Sequence, residues 1–256
     1  MFRSALLGGA LALAASVPFA YAQAAPAAQS AAQKPGKAAK AKPGPQILSM
    51  AVIDPIRLLP PPAADGSEIQ KTELAELRQL QATRTPDQFA HAQWNAEHED
   101  ASAFASAMGP KFDLAALPAT ARLLQDVRTE QSAISRLAKQ EFHRTRPWVA
   151  DPAIVGCEHG NDKAKSAYPS GHATLGYTLA VVMAGLAPEQ AQSVLQRAAD
   201  YAHDRLVCGA HYRSDIVAGQ AMGTVIGTEL LHAPALQDEI AASRRELAIA
   251  GVTAAP

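Results

Sequence analysis

The sequence predicts an all-α, single-domain helical bundle running from Ile47 to Pro256. Three observations carry this. Apolar residues recur at a period near 3.6, as in Leu123, Val127, Ile134, Leu137 and Phe142. Proline and small polar residues stand at the heads of such segments, where helices start. Alternating apolar and polar runs, the mark of half-buried strands, are almost missing.

Leu59-Pro60-Pro61-Pro62 is an extended lead-in. Ser67 with Gln70 suits a capping box, and Leu74, Leu77 and Leu80 continue a helical stripe. Thr85-Pro86 with Gln88 opens a second helix carrying Phe89 and Trp94. A short helix near Ser102 to Met108 stops at Gly109-Pro110. Pro118 begins a long helix that ends before Pro147, because the residue preceding a proline resists helical geometry. Trp148 to Ala167 is a loop of about 20 residues, long enough to suggest function. His172 to Leu186 is a mostly apolar helix, and Pro188 starts another that runs to about Cys208, with Gly209 as its stop. Ser214 to Leu231 reads as a core helix; Gln220 and Glu229 argue against a membrane span. Pro234 begins a last amphipathic helix to about Ala250.

The N-terminal 46 residues are of two other kinds. Residues 1–22 read as a secretory signal peptide: Arg3, an uncharged stretch from Ala5 to Ala20, and a small-x-small site at Ala20-Tyr21-Ala22; a retained membrane anchor is the rival, for which the apolar stretch is short. Gln23 to Gln46 is rich in Ala, Pro, Gly and Lys, holds no acid, and reads as a disordered tether. A basic arm that touches an anionic surface is the rival reading of that tether. From Ile47 onward, 18 Lys and Arg face all 24 Asp and Glu, a net charge of −6. That balance speaks against nucleic acid as a partner. Any anion site must therefore be a local cluster of cations.

Only two cysteines occur, Cys157 and Cys208. Export would place them in an oxidising compartment, which predicts one disulfide, with two buried free thiols as the alternative. The loop so closed would stabilise the fold by about 4 kcal/mol in the chain-entropy model.

Three short stretches within 77 residues supply one chemical inventory: Lys139 with Arg146-Pro147, then Pro169-Ser170-Gly171-His172, then Arg205, His211 and Asp215. Lys139 and Arg146 are seven apart, which on one helix would bring both to nearly the same face, about 10 Å apart along the axis. Their neighbours Arg136 and Arg144 are assigned to solvated faces. Gly171 allows a close backbone approach, and the free N–H groups of a helix start favour bound phosphate. His172 at the mouth of an anion site can protonate a leaving oxygen. Arg205 offers a planar fork suited to phosphate oxygens. Asp215 can accept the Nδ1 proton of His211 and leave Nε2 as a nucleophile. His91, His98 and His232 read as bystanders. His143 and His203, one helical turn from motif cations, are less favoured candidates for touching substrate. A zinc site from His172, His203, His211 and Asp215 has suitable ligand types, but the surrounding cations oppose it.

This set resembles the type 2 phosphatidic acid phosphatase superfamily, and within it the secreted class A non-specific acid phosphatases of bacteria. The Leu-Pro-Pro-Pro lead-in and the Val207-Cys208-Gly209 context resemble the same branch. The resemblance implies a periplasmic or secreted phosphomonoesterase acting on small organic phosphates of broad variety, with no cofactor and no metal. It assigns phosphate oxygens to Lys139, Arg146, Arg205, Ser170 and the Gly171 amide. His211 becomes the nucleophile, His172 the acid and then the base, and Asp215 the group that orients His211. One position departs from the pattern: Asp204 stands where the family has Ser. It either pairs with Arg205 and weakens its grip on phosphate, or points away and orients Arg205 from behind, with modest tuning expected. A vanadate-dependent haloperoxidase, a lipid-phosphate phosphatase and a non-catalytic phosphate-binding envelope protein are the alternatives. No integral span is expected after signal cleavage, and the apolar helices leave self-association open.

Overall fold

The computed structural model describes residues 43–158 and 164–254. The expected signal peptide and most of the tether lie outside the described residues, as do 159–163 of the long loop. Among the described residues the secondary structure is helical, with no strand. The helices are α1 Pro55–Leu58, α2 Glu68–Thr83, α3 Pro86–Glu97, α4 Ala105–Met108, α5 Pro118–Phe142, α6 Pro147–Ala150, α7 Gly171–Leu186, α8 Ala191–Val207, α9 Arg213–His232 and α10 Gln237–Ala250. None of the described helices is long and apolar enough to cross a membrane.

Local chemistry sets the helix starts. Thr85 and Gln88 form a reciprocal capping box at α3. The corresponding pair at α2 is only half a box: Ser67 accepts from Gln70 N, but the Gln70 side chain accepts from Gly66 N instead. Pro118 and Pro147 occupy first-turn positions of α5 and α6. The predicted loop after Arg146 therefore begins with one helical turn. Helix α5 stops at Phe142, earlier than Pro147 alone requires, because His143 adopts the left-handed conformation at φ 48° and closes it.

Helix α7 is the centre of the bundle, packed against α9, α8 and α5. Its Leu175, Leu179, Val182, Met183 and Leu186 are all buried. Burial of each such side chain stabilises by roughly 1.5–3 kcal/mol. On α9, Gly219, Gly223 and Gly227 form a stripe at helical spacing against α7. A Cβ at Gly219 would lie 2.7 Å from the Ser170 carbonyl oxygen, so only glycine lets the two backbones approach this closely. The approach brings the starts of the two helices together, where Ser170 N donates to Asp215 O at 3.0 Å. Two sequence motifs, on α7 and α9, thereby share one end of the bundle.

The chain is already docked at the end of the Lys-rich segment. Glu130 of α5, buried, accepts from the backbone N–H groups of Gln46, Ile47 and Leu48, and Arg136 donates to Pro43 O. On the far side, Glu246 of α10 accepts from Ala119 and Thr120 N–H and so caps α5.

Candidate active site

A cleft of about 980 Å³ has Lys139, Arg146, Glu158, Ser166, Gly171, His172 and His211 in its walls. Residues from all three motifs meet here. Lys139 and Arg146 do not converge along one helix face, as their spacing suggested. Arg146 lies beyond the end of α5, in extended backbone before Pro147. There the chain pairs with the far end of the loop: Arg146 N donates to Ala164 O at 2.8 Å, and Ala167 N to Arg144 O at 3.1 Å. Ser166 links the two cations, accepting from Lys139 Nζ at its carbonyl (2.5 Å) and from Arg146 Nη2 at its hydroxyl (3.3 Å).

His211 is buried beneath them. Arg146 Nη1 lies 2.8 Å from His211 Nε2 and also donates to Ala210 O. A guanidinium can only donate, so Nε2 holds the lone pair and Nδ1 the proton. Nδ1 stands 3.4 Å from Asp215 Oδ2, within ion-pair distance but without hydrogen-bond geometry. Asp215 is fully buried; its Oδ2 accepts from Tyr212 N, and its Oδ1 from Arg144 Nη1.

Arg144 corrects the sequence reading. It is not solvated but buried, bonded to Asp215, to Glu73 Oε2 at 2.8 Å and to Ser214 Oγ at 2.7 Å, with its guanidinium 4.0 Å over the Tyr212 ring. A buried carboxylate pair explains it: the Arg144 cation is the shared ion-pair partner of Glu73 and Asp215. Arg136 is partly buried and tied to Pro43, so it too has left the solvated face.

His172 sits in the first turn of α7, with Nε2 3.2 Å from Ala96 O and 3.3 Å from Glu99 Oε1. The carbonyl can only accept, which places a proton on Nε2. Ser170 caps α7 through Ala173 N; fully buried, it is absent from the cleft walls. Gly171 is in the wall, where a Cβ would meet Lys139 Cε at 3.6 Å. Arg205 is fully buried and donates to Glu158 Oε1 and toward Cys208 Sγ. Asp204 turns away from it to α3, accepting from Asn95 and pairing with His91 at 2.9 Å. Cys157 and Cys208 form the expected disulfide, with Cα atoms 5.1 Å apart. His143 and His203 are exposed and away from the cleft walls, so the four zinc-type ligands do not gather.

Burial dominates the electrostatics. It holds the imidazoles of His172 and His211 well below their ordinary range, reinforced by Arg205 for His172 and by Arg146 for His211. Burial, with Arg146 beside it, pushes the Lys139 ammonium down to about 7. The Asp215 carboxyl is raised by burial to about 6, against the opposing pull of Arg144.

The sequence profile of the PAP2 superfamily matches residues 128–238, the stretch that holds all three motifs. An acid phosphatase from Zymomonas mobilis subsp. mobilis is 34% identical over 177 residues, covering 67% of each chain. The chain belongs to the PAP2 superfamily. A non-specific acid phosphatase of Salmonella typhimurium is 30% identical over 201 residues, covering 74% of this chain and 78% of that one. A transmembrane PAP2 type phosphatidylglycerolphosphate phosphatase from Bacillus subtilis superposes with a TM-score of 0.49 at 14% identity, over 65% of this chain and 87% of its own.

Around this cleft of the PAP2-superfamily chain, three residues beyond the motifs stand out: Arg144 on Asp215, Glu99 beside His172, and Glu158 on Arg205. Arg144 carried a signal in the sequence, two positions before Arg146 at a helix end. Glu99 and Glu158 carried none, since neither belongs to a periodic segment.

Proposed function

We propose that this phosphatase hydrolyses phosphate monoesters of broad variety, in the periplasm or outside the cell, through a phosphohistidine on His211 and without a metal. One observation carries the reading: Arg146 donates to Nε2 of His211, which leaves that nitrogen's lone pair beside a cation of the cleft wall. The Arg146 N–H turns from Nε2 to a phosphoryl oxygen, and the freed lone pair of Nε2 attacks phosphorus in line. The P–O ester bond breaks, its electron pair leaves with the ester oxygen, and the His172 imidazolium supplies the proton. Neutral His172 then takes a proton from water as the water oxygen attacks phosphorus. The P–N bond breaks, the pair returns to His211, and inorganic phosphate is released.

Lys139, Arg146, Arg205 and the start of α7 at Gly171 supply the charge stabilisation, with Ser170 ordering that turn. The Nε atoms of Arg146 and Arg205 are buried without an acceptor, so both guanidinium groups keep donors for a tetrahedral anion. Breadth follows because binding goes through the phosphoryl group and hardly reads the leaving group. Export rests on Arg3, the uncharged stretch and the Ala20-Tyr21-Ala22 site.

The test is hydrolysis of p-nitrophenyl phosphate by wild type and by His211→Ala, with and without EDTA and vanadate. Activity should survive EDTA, yield to vanadate and vanish in the variant. A near-normal rate in the variant removes His211 as nucleophile, and EDTA inactivation reversed by a divalent cation removes metal independence. An N-terminus at Gln23 in the periplasmic fraction checks export.

A further inference from the structure

Arg205 and Glu158 stand in an arrangement that a simple phosphate cradle does not need. Arg205 is fully buried and absent from the cleft walls, whereas Glu158, bonded to its Nη2, is in those walls. The carboxylate thus reaches the cleft wall while it holds a guanidinium that does not. We infer that Glu158 is an internal competitor for the phosphate site: it occupies Arg205 when no phosphate is bound and must leave Arg205 for a phosphoryl group to reach it.

Three physical points support this. A buried guanidinium with no anion is costly, so Arg205 needs a partner in the empty site. Glu158 takes only Nη2, while Nε remains without an acceptor. A phosphate dianion can take both donors and brings a second charge, so it can outcompete the carboxylate. The mount of the carboxylate is also fixed. Cys157, its neighbour, is disulfide-bonded to Cys208 and donates its backbone N–H to Cys208 O at 2.9 Å, three residues beyond Arg205. The carboxylate is therefore held at high effective concentration beside the guanidinium. Its return to Arg205 would weaken the hold on product phosphate and assist release.

This inference rests on the reading of the cleft as a phosphate site, and the two fail separately. Calorimetric titration with inorganic phosphate needs no turnover and so does not depend on the nucleophile. Glu158→Gln should lower the Kd of inorganic phosphate at least about fivefold relative to wild type, with Glu158→Ala doing the same if the amide keeps the contact. Asp126→Asn, which removes a cleft carboxylate that is not bonded to Arg205, should leave Kd within about twofold. Equal or weaker phosphate binding in both Glu158 variants overturns the inference, as does an equal gain in Asp126→Asn. No phosphate binding by wild type overturns the phosphate-site reading itself.

Discussion

Arg144 donates to Oδ1 of Asp215, the oxygen other than the one nearest His211, and it holds Glu73 with its other terminal nitrogen. The carboxylate beside His211 is therefore held at its other oxygen by a buried cation. Arg144→Gln should leave two buried carboxylates without a countercharge. We expect a stability loss of about 3–5 kcal/mol by urea unfolding at pH 7. Asp215 has a folded pKa raised above its unfolded one, so its titration favours the folded state at low pH and costs stability as pH rises through about 6. Without Arg144 the carboxyl is raised further, so the deficit of the variant should shrink as pH falls toward about 6, where Asp215 is protonated in both folded proteins. A deficit that does not change between pH 7 and pH 4.5 contradicts this account.

Asp204 follows the second route its position suggested only in part: it points away from Arg205, but its carboxylate bonds α3. It does not pair with Arg205, and its carboxylate instead ties α8 to α3 through Asn95 and His91, with Arg197 donating to Asn95 in turn. The link bears on the site through α3, whose Ala96 carbonyl meets His172. Asp204→Ser should cost about 1–3 kcal/mol in urea unfolding, as a broken buried network does. Its kcat/KM for p-nitrophenyl phosphate should stay within about threefold of wild type. A large rise in KM with unchanged stability would place Asp204 at the phosphate site instead.

The helix plan was legible because starts and stops are local. Thr85 with Gln88, Pro118 and Gly209 act within one turn of themselves. What was not legible depends on partners far along the chain. Arg144 looks like any helix-end cation until Glu73 and Asp215, each 71 residues away, close on it. The meeting of Lys139 and Arg146 was foreseen for the wrong reason: spacing suggested one helix face, whereas His143 ends the helix and Ser166, from the loop, joins the two. The glycine stripe of α9 left no periodic apolar signal, because it works by the absence of side chains. Glu158 lies in a loop with no period, and its importance comes from Arg205, 47 residues on.

The proposed roles of the two imidazoles make the pH dependence a test of the site. On the proposed mechanism, turnover needs His211 neutral and His172 protonated. Burial lowers both pKa values, so in the free enzyme His211 stays neutral to well below pH 6.5 and His172 gains its proton only in acid. The profile of kcat/KM should therefore peak on the acid side of 6.5 and fall as pH rises through the His172 pKa. A bound phosphoryl dianion favours imidazolium, so the kcat profile should lie at higher pH than that of kcat/KM. Glu99→Gln removes the carboxylate 3.3 Å from His172 Nε2 and should shift the alkaline limb further toward acid. A kcat/KM optimum above pH 7, or a Glu99→Gln profile unchanged from wild type, would remove His172 as the group behind that limb.

The disulfide spans 51 positions of sequence and joins the loop bearing Glu158 to the end of α8 bearing Arg205. Loop closure of that size is worth about 4 kcal/mol in the chain-entropy model, and native bridges typically deliver about 2–5. The Cys157→Ala/Cys208→Ala double variant should lose about that much in urea unfolding, and reduced wild type should match it. It should also bind inorganic phosphate more tightly, because Glu158 loses its fixed mount beside Arg205. Two titratable thiols in unreduced, unfolded wild type would show that the bridge does not form in the purified protein. A double variant as stable as wild type would show that the bridge adds nothing to a loop already held by the Arg146–Ala164 and Cys157–Cys208 backbone bonds.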